Sequence, residues 1–370
     1  MLAERIDVYQ KLKNNKELLK SYCYKTEKEY KQEFPFLKEI SSMALQQARQ
    51  NLWKAFRYFY SGIKKGKKVG FPRFKNKKKG KLSYRDNQVA GVLRIEGTYL
   101  NLLKLGKVKF RGLSKNFQGV IKAVTVTKSR SRKYYASILT EFESPIVKES
   151  TSDNILGIDL GLKEFLVGSN GDVFSGVKEV LVEVEKQIKN QQRCIARKRK
   201  GSRRREGAIV KLNRLYDRHR SILDNFQWHL VNRLCCENQA ISLEDLNVSG
   251  MLRNRKLSGS IQRANWGSFV RKLEHKAVEY GTRIYKIDRF FPSSKMCSVC
   301  GNIKEDLTLK DRLYICVCGS VIDRDLNAAI NIRNYYINNI SAELVDYKHG
   351  ETVSPGRVIY YPEGTFRRSV

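Results

Sequence analysis

No run of about 18 apolar residues occurs anywhere in the 370 residues, which leaves no segment suited to a membrane-spanning helix. The opening Met-Leu-Ala-Glu-Arg-Ile-Asp lacks the apolar core of a secretion signal, so a cytoplasmic protein, nucleoid-associated in a prokaryote, is expected. Acidic residues are scarce: 37 Asp and Glu stand against 72 Lys and Arg, a formal charge of +35. Such an excess is foreign to an ordinary metabolic enzyme and makes polyanions the natural partner. A spread-out disulfide framework is also missing. Four of the eight cysteines cluster as Cys297, Cys300, Cys316 and Cys318, and the others are scattered, which suits a reducing compartment with one metal knuckle.

The length allows two or three domains. Residues 1 to about 62 read as helical, with Leu45, Ala48, Leu52, Ala55, Phe56 and Phe59 at helical spacing. Residues 82–142 carry short strands with Gly turns, and polar residues 148–154 look like a linker. Strands are expected at 155–160, 165–169 and 172–174, then a basic helical stretch over 176–238, interrupted near 198–205. A strand at 240–245, a helix near 262–280, a strand at 283–288, the cysteine segment and a helix from 325 to 340 complete the order. An irregular tail should begin after Ser341, since Pro355-Gly356 and Pro362-Glu363-Gly364 argue against a long element there. Three strands, helix, strand, helix, strand, helix is the order of an α/β fold of the RNase H type. In that order the first strand, the fourth strand and the last helix can meet at one edge of the sheet.

Those three elements each carry a carboxylate: Asp159 in Ile-Leu-Gly-Ile-Asp-Leu-Gly, Glu244 in Ile-Ser-Leu-Glu-Asp-Leu-Asn and Asp325 in Asp-Arg-Asp-Leu-Asn-Ala-Ala. An ionised carboxylate in apolar surroundings is costly unless a cation or donor compensates it. Phosphodiester hydrolysis by two Mg²⁺ ions about 3.5–4 Å apart needs such oxygen ligands and no histidine. Asp159 would bridge both ions, Glu244 complete one shell and Asp325 the other. Asp245 and Asp323 are near competitors, and Asp323 could be a helix N-cap instead. Cys297-x-x-Cys300-Gly and Cys316-x-Cys318-Gly fit a tetrahedral structural Zn²⁺, although the second pair is tighter than usual. With four thiolates and no open position, that zinc would not be catalytic.

Basic residues concentrate at 64–79 and 197–205; Phe56, Tyr58, Phe59 and Tyr60 lie next to basic residues, as do Phe71 and Phe74 with Arg73. Phosphate neutralisation beside aromatic platforms suits nucleic acid. About two thirds of these aromatics are expected in the core. Arg73, Lys75, Lys77 and Arg203 are the candidate backbone contacts.

Taken with Val69-Gly70-Phe71-Pro72-Arg73-Phe74-Lys75, Phe291-Pro292-Ser293-Ser294-Lys295 and Asp323-Arg324-Asp325-Leu326-Asn327-Ala328-Ala329, these motifs make residues 45–340 resemble the TnpB family. These are transposon-encoded, RNA-guided DNA endonucleases related to type V CRISPR effectors. The resemblance implies a helical recognition lobe (1–65, shortened at its N-terminus) and a β-rich wedge domain (66–148). A RuvC-like nuclease domain would occupy 149–296 and 321–343, with a zinc-ribbon-like module (297–320) inserted and an irregular tail over 344–370. It places Asp159, Glu244 and Asp325 on the catalytic positions. It implies a guide RNA from the transposon end and a double-stranded DNA target with a short adjacent motif, and it makes Arg312 similar to an arginine that steers the target strand. Ile322 departs from the family's usual His. The residue reading also leaves open a guide-bound protein without cleavage activity and a guide-independent, structure-specific nuclease.

Overall fold

A computed structural model describes residues 1–74, 82–112, 119–141, 154–308 and 311–346, except the side chains of Lys16, Lys20 and 340–346. The chain divides into two compact units, Met1–Glu143 and Ser144–Tyr360, apart from the last ten residues.

In the first unit, helices α1 (Leu2–Leu12), α2 (Lys16–Ser21) and α3 (Glu27–Glu33) precede α4 (Ser42–Lys64). The helical region is thus broken, and side chains write the breaks. Asn15 and Ser41 accept amide hydrogen bonds at the starts of α2 and α4, and Thr26 with Glu29 forms a capping box on α3. Strands β1 (Leu82–Asn87), β2 (Arg94–Glu96), β3 (Tyr99–Leu102), β4 (Gly106–Lys109), β5 (Val120–Lys128) and β6 (Tyr134–Glu141) form two antiparallel sheets, β1-β5-β6 and β2-β3-β4. Leu93, Leu100, Leu102, Ile121 and Val124 close the core between them.

The second unit opens with β7 (Ile155–Asp159), β8 (Leu166–Gly168) and β9 (Val173–Phe174), then the long helices α5 (Lys178–Ala196) and α6 (Arg203–Glu237). β10 (Ala240–Glu244), α7 (Val248–Met251), α8 (Ser258–Ala264), α9 (Trp266–Tyr280) and β11 (Arg283–Ile287) follow. The hairpin β12 (Leu313–Ile315) and β13 (Val321–Asp323) leads into α10 (Arg324–Asp346). The single helix expected near 262–280 is two, because Asn265 takes a left-handed conformation with φ 51°. α10 also outruns the expected start of an irregular tail: Ala342, Glu343 and Leu344 are good helix formers, and no Gly or Pro interrupts them.

The five-stranded sheet runs β11-β10-β7-β8-β9, with β7, β10 and β11 parallel and β8 and β9 antiparallel. Register decides what each face carries. Leu156 and Ile158 on β7 and Ile241 and Leu243 on β10 join a core with Val231 and Leu234 of α6 and Phe269 and Leu273 of α9. Side chains alternate along a strand, so the intervening residues line the other face. Ser242 pairs with Gly157 on one side and Tyr285 on the other, and one step further lie Asp159, Glu244 and Ile287. α10 packs on this second face, against β7, β8, β10 and β11.

Candidate active site and cysteine centre

Gly157 explains how the last helix reaches the sheet. A Cβ built on it would lie 2.1 Å from the Ala329 carbonyl oxygen and 2.5 Å from the Arg333 amide nitrogen. Ala328 and Ala329 are buried at the same contact. The Gly in Gly157-Ile158-Asp159 and the paired alanines of α10 are therefore two halves of one close backbone approach. It brings the first turn of α10, with Asp325, toward the carboxyl ends of β7 and β10. β7 and β10 are neighbouring inner strands, so Asp159 and Glu244 stand at mid-sheet and not at its side, where the element order alone had set them.

The three acids feel one another's charge. Burial pushes the Asp159 carboxyl up to about 7, and the negative charges of Glu244 and Asp325 push the same way. Arg324 and the Leu160 amide oppose the shift without cancelling it. Glu244 Oε1 accepts from the Ser293 hydroxyl at 2.5 Å. Arg312 Nη1 stands 3.9 Å from Asp325 Oδ2, and Arg324 Nη1 is committed to the Thr308 carbonyl. A half-buried acid under the charge of two others, with too little positive charge to offset them, suits a cation, and an all-oxygen donor set suits a hard one such as Mg²⁺.

The competing acids have other partners. Asp245, one residue along from Glu244, accepts from Arg289 Nη2 at 2.5 Å. Asp323 accepts from the amides of Asp325 and Leu326 at 2.9 and 3.1 Å, so it caps α10.

Sequence reading missed the strap that ties the cysteine segment to this helix. Asn331 Nδ2 donates to the carbonyls of Ser293 and Met296 at 2.7 and 2.6 Å, and Asn327 donates to Met296 and accepts from the Ser298 amide. Both side chains are buried. Their four-residue spacing was the available signal, since it places two amides on one helical face.

Among the described residues, the four cysteines are the group drawn tightly enough to close on a single ion, with sulfurs all within 4.8 Å of one another. Cys297 and Cys318 sulfurs lie 3.8 Å apart, and Cys300 and Cys316 3.5 Å. Tetrahedral zinc with bonds near 2.3 Å needs sulfurs about 3.8 Å apart, so the residues fit it. Burial opposes ionisation of Cys297, yet hydrogen bonds from Ser320, Cys300 and Val299 hold its thiol down at about 6. Hydrogen bonds from Ser320 likewise lower the Cys318 thiol. Beneath the knuckle, Leu307, Tyr314 and Ile322 make a small core. Ile322 thus packs where the family's usual residue would offer a donor. The β12–β13 hairpin was not anticipated, because its strands are only three residues each.

Of the candidate backbone contacts, Arg73, Arg203 and Arg312 are exposed, and Lys75 and Lys77 lie outside the described residues. The aromatics of the first unit are less buried than expected. Tyr58, Tyr60, Phe71 and Phe74 are exposed, Phe59 is half-buried and Phe56 is buried. The reason is local. Phe71 packs edge-on against Phe56 and Phe59 at 5.5 and 5.4 Å, and Val69 covers Gly62, so residues 67–72 fold back on α4 and occupy its apolar stripe.

Two family models match the second unit and its approach: "Probable transposase" over residues 137–255 and "Cas12f1-like, TNB domain" over residues 266–332. A Streptomyces pristinaespiralis protein, named as a candidate RNA-guided DNA endonuclease, is 34% identical over 334 residues, covering 90% of this chain and 79% of the relative. A Mycobacterium tuberculosis protein with the same kind of name is 28% identical, and the match spans 76% of this chain and 64% of that protein. A TnpB-like protein of Methanocaldococcus jannaschii is 23% identical over 42% of this chain and 38% of its own length. A solved Cas12f1–sgRNA–target DNA complex aligns over 89% of this chain and 79% of that chain, with a TM-score of 0.49 and 15% identity. The chain is a mixed α/β protein similar to transposases and to proteins named as RNA-guided DNA endonucleases. It belongs to the TnpB family.

No described helix is long and apolar enough to cross a membrane.

Proposed function

We propose that this chain is an RNA-guided DNA endonuclease that hydrolyses target DNA in an RNase H-like (RuvC) site. It would be guided by an RNA from the transposon end and directed to double-stranded DNA beside a short motif. One observation carries the reading: the close approach of α10 to Gly157 sets Asp325 beside the strand ends that carry Asp159 and Glu244. Burial and the charges of Glu244 and Asp325 raise the half-buried Asp159 carboxyl to about 7, a state that suits a divalent cation. The names of the relatives supply the substrate class.

Asp159, Glu244 and Asp325 would hold the Mg²⁺ ions. When bound, such ions supply a nucleophilic water and neutralise charge developing on the leaving oxygen. The rest falls to the chain itself. Ser293 holds the Glu244 carboxylate in one orientation. The Gly157–Ala329 contact fixes the distance between the β7 and α10 ligands. Arg312, beside Asp325 and exposed, can take a phosphate of the target strand. Four cysteines would hold a structural Zn²⁺ that keeps Arg312 and the 293–298 strap in place. Basic residues at Arg73, Lys75, Lys77 and Arg203 would contact backbone phosphates, giving affinity without sequence information.

The test is co-expression of the chain with its flanking DNA, sequencing of the copurifying RNA, and challenge with a plasmid library in Mg²⁺ or EDTA. Guide-matched cutting in Mg²⁺ alone is expected. Asp159→Asn and Glu244→Gln should carry the same RNA and cut nothing, and undiminished cutting by both would overturn the assignment.

A further inference from the structure

Beside the carboxylate pocket, at the end of the edge strand β11, lies a cleft of about 620 Å³ lined by Tyr285, Lys286, Arg289, Phe290 and Tyr335, with Asp245 and Asp288 at its wall. Phe290 is 88% exposed. A bare phenylalanine is ordinary on a loose loop, but this loop is fastened at every neighbouring residue. Arg289 donates to both the backbone and side chain of Asp245, at 3.0 and 2.5 Å. The Phe290 amide donates to Asp288 Oδ1 at 2.6 Å, and the Phe291 amide to the Asp288 carbonyl at 3.2 Å. The Phe291 ring packs on Tyr335 with centroids 4.7 Å apart, and Asn331 holds the Ser293 carbonyl. The backbone is pinned, one ring is left in solvent, and three residues later Ser293 touches Glu244. Three residues span at most about 10 Å, or about three stacked nucleotides at 3.4 Å each.

We propose that Phe290 is a stacking platform for a base of the single DNA strand entering the carboxylate pocket, fixing which phosphate reaches Asp159. The inference rests on the nuclease reading above. Single-stranded nucleic acid is the occupant because the chain carries 72 cationic against 37 acidic residues. The cleft also adjoins the pocket along the chain, since its wall residue Asp245 directly follows Glu244, and a base offers a π-face to any aromatic ring whatever its sequence. Phe290 acts by position, and the carboxylates keep the chemistry.

The experiment uses full-length protein with its copurifying RNA in an Asp159→Asn background, so that nothing is cut. Single-stranded oligonucleotides carry 2-aminopurine stepped along the strand. One or two adjacent positions should be quenched. Phe290→Ala should abolish that quenching and weaken binding about ten-fold. Phe290→Leu should behave like Ala, and Phe290→Trp should restore both signals. In the cutting-competent protein, Phe290→Ala should spread cleavage over neighbouring phosphates at an unchanged melting temperature. Quenching that no Phe290 variant alters, or Phe290→Leu equal to wild type, overturns the proposal, the latter because it would mark plain apolar packing. Quenching is read without cleavage, so a wild-type chain that cuts nothing would sink the nuclease reading and leave the stacking result standing on its own.

Discussion

The carboxylate pocket and the cysteine knuckle are both ligand sets drawn from one unit, yet they are assembled by opposite means. The knuckle spans 297–318, folds over its own small core of Leu307, Tyr314 and Ile322, and brings four sulfurs within 4.8 Å. The pocket takes Asp159, Glu244 and Asp325 from two inner strands and a helix. The Gly157–Ala329 approach and the two asparagine anchors set the helix against the strands, and the charges of Glu244 and Asp325 act on Asp159. On the proposed reading, the local site would depend on its metal for its fold, and the long-range site, built by the core, would need its metal to relieve charge.

The comparison is sharpest where metal is removed. Stripping zinc should unfold the module outright, since structural zinc contributes about 10 kcal/mol or more to such folds. Hydrogen exchange should show protection lost over 297–322 while β7 and β10 stay protected. A knuckle still protected without metal would break the contrast. At the pocket, Asp159→Asn should cut cleavage by at least about 10³-fold, since charge stabilisation by such ions is worth several kcal/mol. The same variant should be more thermostable than the metal-free wild type, because it deletes a strained charge.

The pH dependence follows with a defined sign. The Asp159 carboxyl rises from 3.8 to about 7 on folding. Its contribution to metal-free stability is therefore fully present below pH 3.8 and lost as the pH climbs through about 7, a decline on the order of 4 kcal/mol. Denaturant titration between pH 4 and 8 should show that decline, with Mg²⁺ flattening it and Asp159→Asn abolishing it.

Gly157→Ala should cost about 3 kcal/mol through overpacking against α10 and displace Asp325, lowering both melting temperature and cleavage. Smallest in stability is Arg312→Ala. Its pair with Asp325 is half exposed, so the melting point should hold within about 0.5 kcal/mol. Cleavage should fall nonetheless, and a fall matched by unfolding would reduce Arg312 to a structural role.

Much of this was legible in the chain. Short apolar runs ending at Asp159 and Glu244 and the order of strands and helices located the sheet, and the cysteine spacing located the four clustered sulfurs. Side-chain caps such as Thr26 with Glu29, and the left-handed Asn265, were less legible, because each depends on one hydrogen bond or one dihedral rather than on a repeating pattern. The burial of the first unit's aromatics was misjudged because apolar character does not say which ring wins the contact. Phe71, from beyond the helix, took the stripe on α4.

By itself the sequence determined the charge, the elements and the residues able to bind metal, since these follow from composition and short-range periodicity. Only the tertiary structure decided what partners each acid of a neighbouring pair finds. Register turned Glu244 toward α10, Arg289 claimed Asp245, and Asp323 was used up in capping a helix. The physical reason is that a carboxylate's role is set by the donors and charges around it, and those arrive from parts of the chain far removed in sequence.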